Sequence, residues 1–257
     1  MTVLSVAVSS STPDLQPHLA ERLPEPVVAP AGLVIVLHGG SASSRTPMTR
    51  FRPAYLRMWL FARSLHRSGR KRGLVVWLLR NRYRGWNEPD LDAVADARWA
   101  LARAAERFPG LPVVLVGHSM GGRAALRTAD DPAVTAVAAL APWTPREEPT
   151  VQLVGRTVVI AHGDLDRVVG ASMSYQYSAR ARQSAERCCR FVVHGDGHAM
   201  LRRATDWSAL VNNFVLSRLE LEPEHELLTR AWAQGSLDSL DTPLPPAALL
   251  RRTSLEG

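Results

Sequence analysis

The chain has 257 residues, 46% of them hydrophobic and 21% charged, which suits one sizeable globular core and excludes collagen-like, coiled-coil and wholly disordered chains. No apolar run approaches the roughly 18 residues of a membrane span, and the start, MTVLSVAVSSS, lacks the basic opening and long apolar stretch of a secretory leader; a soluble, non-exported, cytoplasmic protein is expected. The net charge of +7 is unevenly spread, because residues 26–87 hold no Asp or Glu while Arg45–Arg84 holds eleven Arg and Lys71, a block expected to form a positive surface.

Residues 1–31 carry Pro13, Pro17, Pro24, Pro26 and Pro30 and are expected to form a loosely ordered arm. From residue 32 to 220 the pattern alternates. Short, continuously apolar runs at Leu33–Leu37, Leu74–Leu79, Val113–Val116, Val134–Leu140, Thr157–Ala161 and Arg190–Val193 predict strands covered on both faces. Between them lie helical patterns. Thr49–Arg67 carries much of the basic block, and its aromatics Phe51, Tyr55, Trp59 and Phe61 read as helix packing; with no nucleic-acid motif nearby, no nucleic acid partner is expected. Asp90–Phe108 opens with acidic residues and stops at Pro109-Gly110. Met120–Ala129, Ala171–Glu186 and Ala199–Leu219 complete the set. Strand–helix alternation of this kind gives an α/β fold with a mostly parallel central sheet flanked by helices. Cys188 and Cys189 are adjacent and read as small buried hydrophobes. Residues 221–257 are expected to be a C-terminal extension, partly disordered, with a short helix near Glu224–Ala233; Glu220, Glu222, Glu224 and Glu226 are candidates to balance the basic block. The His-Gly-Asp triplets at 162–164 and 194–196 both end strands, and no relation between them is expected.

The sharpest chemical signal is Gly117-His118-Ser119-Met120-Gly121, directly after one apolar strand and directly before a helix. This is the nucleophile elbow: the turn strains the serine backbone, its neighbours two residues away must lack side chains, and the hydroxyl projects above the sheet at a helix N-terminus. A serine needs a base, and the base an orienting acid. Both follow at strand ends, in His162-Gly163-Asp164-Leu165-Asp166-Arg167-Val168 and in His194-Gly195-Asp196-Gly197-His198. Asp164 and Asp166 compete as the acid. His194 directly ends its strand, whereas His198 follows Gly197 in a loop free to reach Ser119, which favours His198. His38, His118 and His162 read as packing or loop residues, and no cluster has metal-ligand spacing, so neither metal nor cofactor is expected.

His38-Gly39-Gly40, the elbow, Gly163-x-x-Asp166-x-Val168 and Gly197-His198 occur in the order that resembles the α/β-hydrolase superfamily, nearest to small lidless esterases of the dienelactone-hydrolase and cutinase-like kind, over about residues 33–219. The resemblance implies Ser119 as nucleophile, His198 as general base and Asp166 as its orienting acid, because the family's acid follows Gly by three residues and precedes Val by two. It implies an oxyanion hole from the backbone N–H groups of Gly40 and Met120. About fifteen residues separate the strand end at Leu140 from Thr157, too few for a cap domain, so an open cleft is expected. Trp143 matches a substrate-stacking position of cutinase-like relatives. Tyr83, Arg84 and Trp86 follow a strand's C-terminal end, where they would supply a cleft wall and a cation for an anionic acyl group. The expected activity is serine hydrolysis of a small or medium carboxylic ester, a small-molecule substrate, through an acyl-enzyme. The alternatives are a thioesterase, lactonase or acyltransferase using the same triad, a non-catalytic binding protein on the hydrolase scaffold, or a polyanion-binding protein using Arg45–Arg84.

Overall fold

The computed structural model describes residues 15–233 and 240–250. Among them are eight strands: β1 (His18–Arg22), β2 (Gly32–Leu37), β3 (Leu74–Arg80), β4 (Val113–His118), β5 (Val134–Leu140), β6 (Thr157–Gly163), β7 (Arg187–Val193) and β8 (Thr242–Pro243). The helices are α1 (Pro53–Gly69), α2 (Asp92–Arg107), α3 (Met120–Arg127), α4 (Ala171–Ala181), α5 (Ala204–Arg218) and α6 (Glu226–Ala233). The strands form one sheet in the order β1-β3-β2-β4-β5-β6-β7-β8. Every neighbouring pair is parallel except β1 with β3. This is the α/β-hydrolase fold expected from the sequence.

The apolar runs are continuous because both faces of the sheet are covered. In β2, Leu33, Ile35 and Leu37 pack into a core with α2, α3 and α4, while Val34 and Val36 pack into a second core with α1, α5 and α6. The chain passes from β2 outward to β3, then returns past β2 to β4 and continues to the far edge. Strand order therefore reverses between β2 and β4. At such a point the two connections leave to opposite faces, and a crevice opens beyond the carboxyl ends of the strands.

Several boundaries differ from expectation. Within the segment read as a loose arm, His18–Arg22 forms β1, held by pairing along β3 from His18↔Arg80 to Arg22↔Val76. Its charged residues suit an exposed edge. In the C-terminal extension, Leu240, Leu244 and Leu250 are buried, and β8 adds to β7. The buried Arg190 side chain donates to the Leu240 carbonyl and to Asp241, both at 2.7 Å. Residues 1–14, 234–239 and 251–257 lie outside the described residues. Helix α1 starts at Pro53, not Thr49, since proline fits a first helical position and disfavours helix before it.

Part of the basic block is paired. Arg45 binds Asp90, Arg70 lies 3.6 Å from Glu25, Arg72 lies 3.0 Å from Glu222, and Arg82 binds Asp96 at 2.5 Å. Cys188 and Cys189 are free and buried, and burial pushes the Cys188 thiol up to about 12. No helix among the described residues is long and apolar enough to cross a membrane.

Candidate active site

The crevice between β2 and β4 holds the expected nucleophile. Ser119 lies between β4 and α3 with φ 55° and ψ −118°, a strained backbone for a residue with a Cβ. The turn is too tight for side chains on its flanks. A Cβ on Gly117 would lie 2.2 Å from the Gly121 carbonyl oxygen, and one on Gly121 would lie 2.5 Å from the carbonyl oxygens of Leu37 and His38. Both obstacles are backbone, so neither can swing aside.

The Ser119 hydroxyl donates to His198 Nε2 at 3.1 Å, and His198 Nδ1 donates to Asp166 Oδ2 at 2.7 Å. The carboxylate assigns the ring proton to Nδ1 and leaves Nε2 free to accept, the arrangement a general base requires. The Asp166 side chain is fully buried. Burial alone would raise its pKa; hydrogen bonds from His162, His198 and the backbone N–H groups of Val169 and Val168 outweigh that and hold the carboxyl well below the usual range.

The His198 loop is anchored on two sides. His118 Nε2 donates to the His198 carbonyl at 2.9 Å, tying the end of β4 to the loop. Asp196, also buried, accepts from the N–H of Gly197 at 2.8 Å, the N–H of Arg203 at 3.0 Å and Trp207 Nε1 at 3.0 Å. The His-Gly-Asp triplets are thus not unrelated, because β6 and β7 lie side by side and their ends interlock. Asp164 accepts from His194 Nδ1 and from Gly195 N–H, while Leu165 N–H donates to the Asp196 carbonyl. The competing acid Asp164 and the competing base His194 therefore bind each other at the surface, away from Ser119.

Ser119 and His198 line a cleft of about 370 Å³ together with Gly40, Met120, Trp143 and Arg57. Gly40 fits because its backbone packs against the elbow: a Cβ there would lie 2.2 Å from the Arg84 carbonyl oxygen and 2.6 Å from Met120 Sδ. Met120 opens α3, where the leading N–H groups have no carbonyl partner within the helix. Residues 141–156, between β5 and β6, hold one three-residue 3-10 turn at Val151–Leu153 and no cap.

Tyr83, Arg84 and Trp86, expected as a cleft wall, do not line this cleft. The segment before α1 covers their loop through backbone bonds from Met48 N–H to the Arg82 carbonyl, Arg84 N–H to the Thr46 carbonyl and Trp86 N–H to the Ser41 carbonyl. Trp86 is fully buried and stands behind Trp143. The guanidinium of Arg123 lies between the rings, 4.0 Å from the Trp86 centroid and 4.6 Å from that of Trp143. Glu148, also buried, accepts from Arg123 Nε and Arg127 Nε.

Three residues around the site were not legible as such. His162, the second imidazole on Asp166, sits in a triplet that resembles its neighbour's. Arg123 has the elbow spacing as its only clue. Arg57 is one basic residue among many, and only the passage of α1 over the cleft distinguishes it.

A sequence model described as the alpha/beta hydrolase family matches residues 34–253. No curated protein sequence matches the chain. Among solved structures, the chain is similar to an alpha-beta serine hydrolase homologue from Coxiella burnetii, with 18% identity and a TM-score of 0.58 over 77% of this chain and 91% of that one. It is similar to a serine hydrolase without lid from Xanthomonas campestris, with 19% identity and a TM-score of 0.57 over 79% and 88%. An esterase from Pyrococcus furiosus matches with 16% identity and a TM-score of 0.56 over 74% and 83%.

Proposed function

The chain belongs to the alpha/beta hydrolase family, and from that premise we propose that it cleaves a small or medium carboxylic ester through an acyl-enzyme intermediate. The observation that carries this reading is the hydrogen-bonded series Ser119–His198–Asp166 opening into an uncapped cleft. Ser119 Oγ attacks the ester carbonyl carbon as His198 Nε2 takes the hydroxyl proton. Negative charge gathers on the former carbonyl oxygen, facing the N–H groups of Gly40 and Met120. The tetrahedral intermediate expels the alcohol, which receives the proton from His198. Water, deprotonated by His198, then attacks the acyl-enzyme and restores Ser119. Asp166 stays ionised throughout and stabilises the imidazolium that forms in each half. Trp143 supplies an apolar wall for the acyl chain.

The test is labelling with a fluorophosphonate probe beside turnover of short-chain and long-chain p-nitrophenyl esters, wild type against Ser119→Ala. The expected result is labelling and turnover in the wild type and loss of both in the variant. A folded wild type that neither labels nor turns over would overturn the reading.

A further inference from the structure

Arg57 differs from those partly buried or buried arginines that hold a carboxylate partner. Arg82 binds Asp96, Arg123 and Arg127 bind Glu148, and Arg190 binds Asp241. Arg57 has no ion pair or hydrogen bond with any described residue, and its Nε is buried without a partner. It projects from α1 into the same cleft as Ser119 and His198, and no Asp or Glu lines that cleft. The sequence offers none nearby either, because residues 26–87 contain no acid. Burial lowers its pKa, the mark of a cation losing water with nothing to replace it. A guanidinium in that position is costly to the fold unless an anion completes it, and its planar fork matches a carboxylate or phosphate.

We propose that Arg57 is an anion-recognition residue and that the substrate carries an oxyanionic group, carboxylate or phosphate, a short distance from its scissile ester. This deepens the hydrolase reading and rests on it. The cleft volume of about 370 Å³ keeps the two groups close. Half-esters of short dicarboxylic acids have that chemistry. Arg57 binds the charged end, and the ester at the other end meets Ser119.

The test compares the p-nitrophenyl half-ester of glutaric acid with p-nitrophenyl pentanoate, a neutral ester of the same acyl chain length, in wild type, Arg57→Met and Arg57→Lys. The wild type is expected to favour the anionic ester in kcat/KM by about 10- to 100-fold, the range of a hydrogen bond to a charged group. Arg57→Met should remove that preference, mainly through KM, and Arg57→Lys should retain part of it. Because the readout is a ratio of two substrates in one preparation, partial misfolding does not mimic the effect. A second arm is independent of turnover: calorimetric titration of Ser119→Ala protein with glutarate and with inorganic phosphate, repeated with Arg57→Met added. Saturable binding that needs Arg57 supports the anion site even if no ester is cleaved, in which case the hydrolase reading alone fails. Tighter binding of one anion assigns the carboxylate or the phosphate. The proposal is overturned if Arg57→Met changes neither the substrate ratio nor anion binding, or if the wild type shows neither.

Discussion

One carboxylate oxygen, Asp166 Oδ2, receives two imidazoles, His198 at 2.7 Å and His162 at 3.1 Å, while Oδ1 takes two backbone N–H groups. An amide there cannot accept from all four. On the proposed mechanism, Asp166→Asn should lower kcat by about 10,000-fold with the fold retained, since the amide favours the wrong tautomer of His198; stopped assays with matched circular dichroism check this. The neighbouring pair gives the contrast. Asp164→Asn and His194→Gln alter a surface contact, with the Gly195 N–H also on Asp164, and should leave kcat/KM within about twofold. A large loss in either would move the acid or base away from Asp166 and His198. The residues alone left the acid open, because His-Gly-Asp recurs and only the family pattern separated Asp166 from Asp164, while the place of His198 in a loop after Gly197 already favoured it over the strand-ending His194. Arg57 was not legible at all. In a helix so rich in arginine, the face that meets the cleft is fixed by packing against β3 and α5, which no local pattern records.

At the scale of elements, β2 to β6 were legible because each is buried on both faces and reads as a nearly unbroken apolar run, while in β7 the arginines at 187 and 190 left only its second half legible. The edges were not. His18–Arg22 has a charged, half-exposed sequence and is held by backbone pairing, and Thr242–Pro243 is two residues long, anchored by buried Leu240 and Leu244 on either side. The placement of residues 82–87 was misjudged for a related reason, since the segment that covers them lies about forty residues earlier and joins them mostly through main-chain bonds, with the Asn87 side chain on the Ser44 backbone besides. The elbow is the element with least tolerance. Gly121→Ala would drive a methyl group into the carbonyls that end β2. It should cost about 3 kcal/mol or more, read as a fall in the urea midpoint, while the exposed Gly170, where a Cβ would meet only Ser172 Oγ at an ordinary 3.5 Å, serves as control.

For the molecule as a whole, acid should be the weak side. His38 is fully buried between its bonds to the Gly39 carbonyl and Asn81 N–H, and burial lowers its pKa from 6.5 to about 4. Below pH 6.5 the unfolded chain takes up a proton that the folded chain refuses until about pH 4, so stability falls with pH across that window, by on the order of 3 kcal/mol from this group. His118, also buried and lowered, adds in the same direction, and Asp166 extends the loss below the ordinary carboxylate range. Urea midpoints at pH 7.5 and 4.5 should therefore differ clearly, with the acid value lower; equal midpoints would contradict the burial of these histidines. The anchoring of the base loop has a further meaning. Through the His118 bond to the His198 carbonyl and the donors on Asp196, the proposed nucleophile and base are fixed to one frame before any ligand arrives. Their encounter has no translational or rotational freedom left to lose. The entropy of bringing them together is spent in folding, and each sees the other at an effective concentration that no mixture of free serine and imidazole can reach.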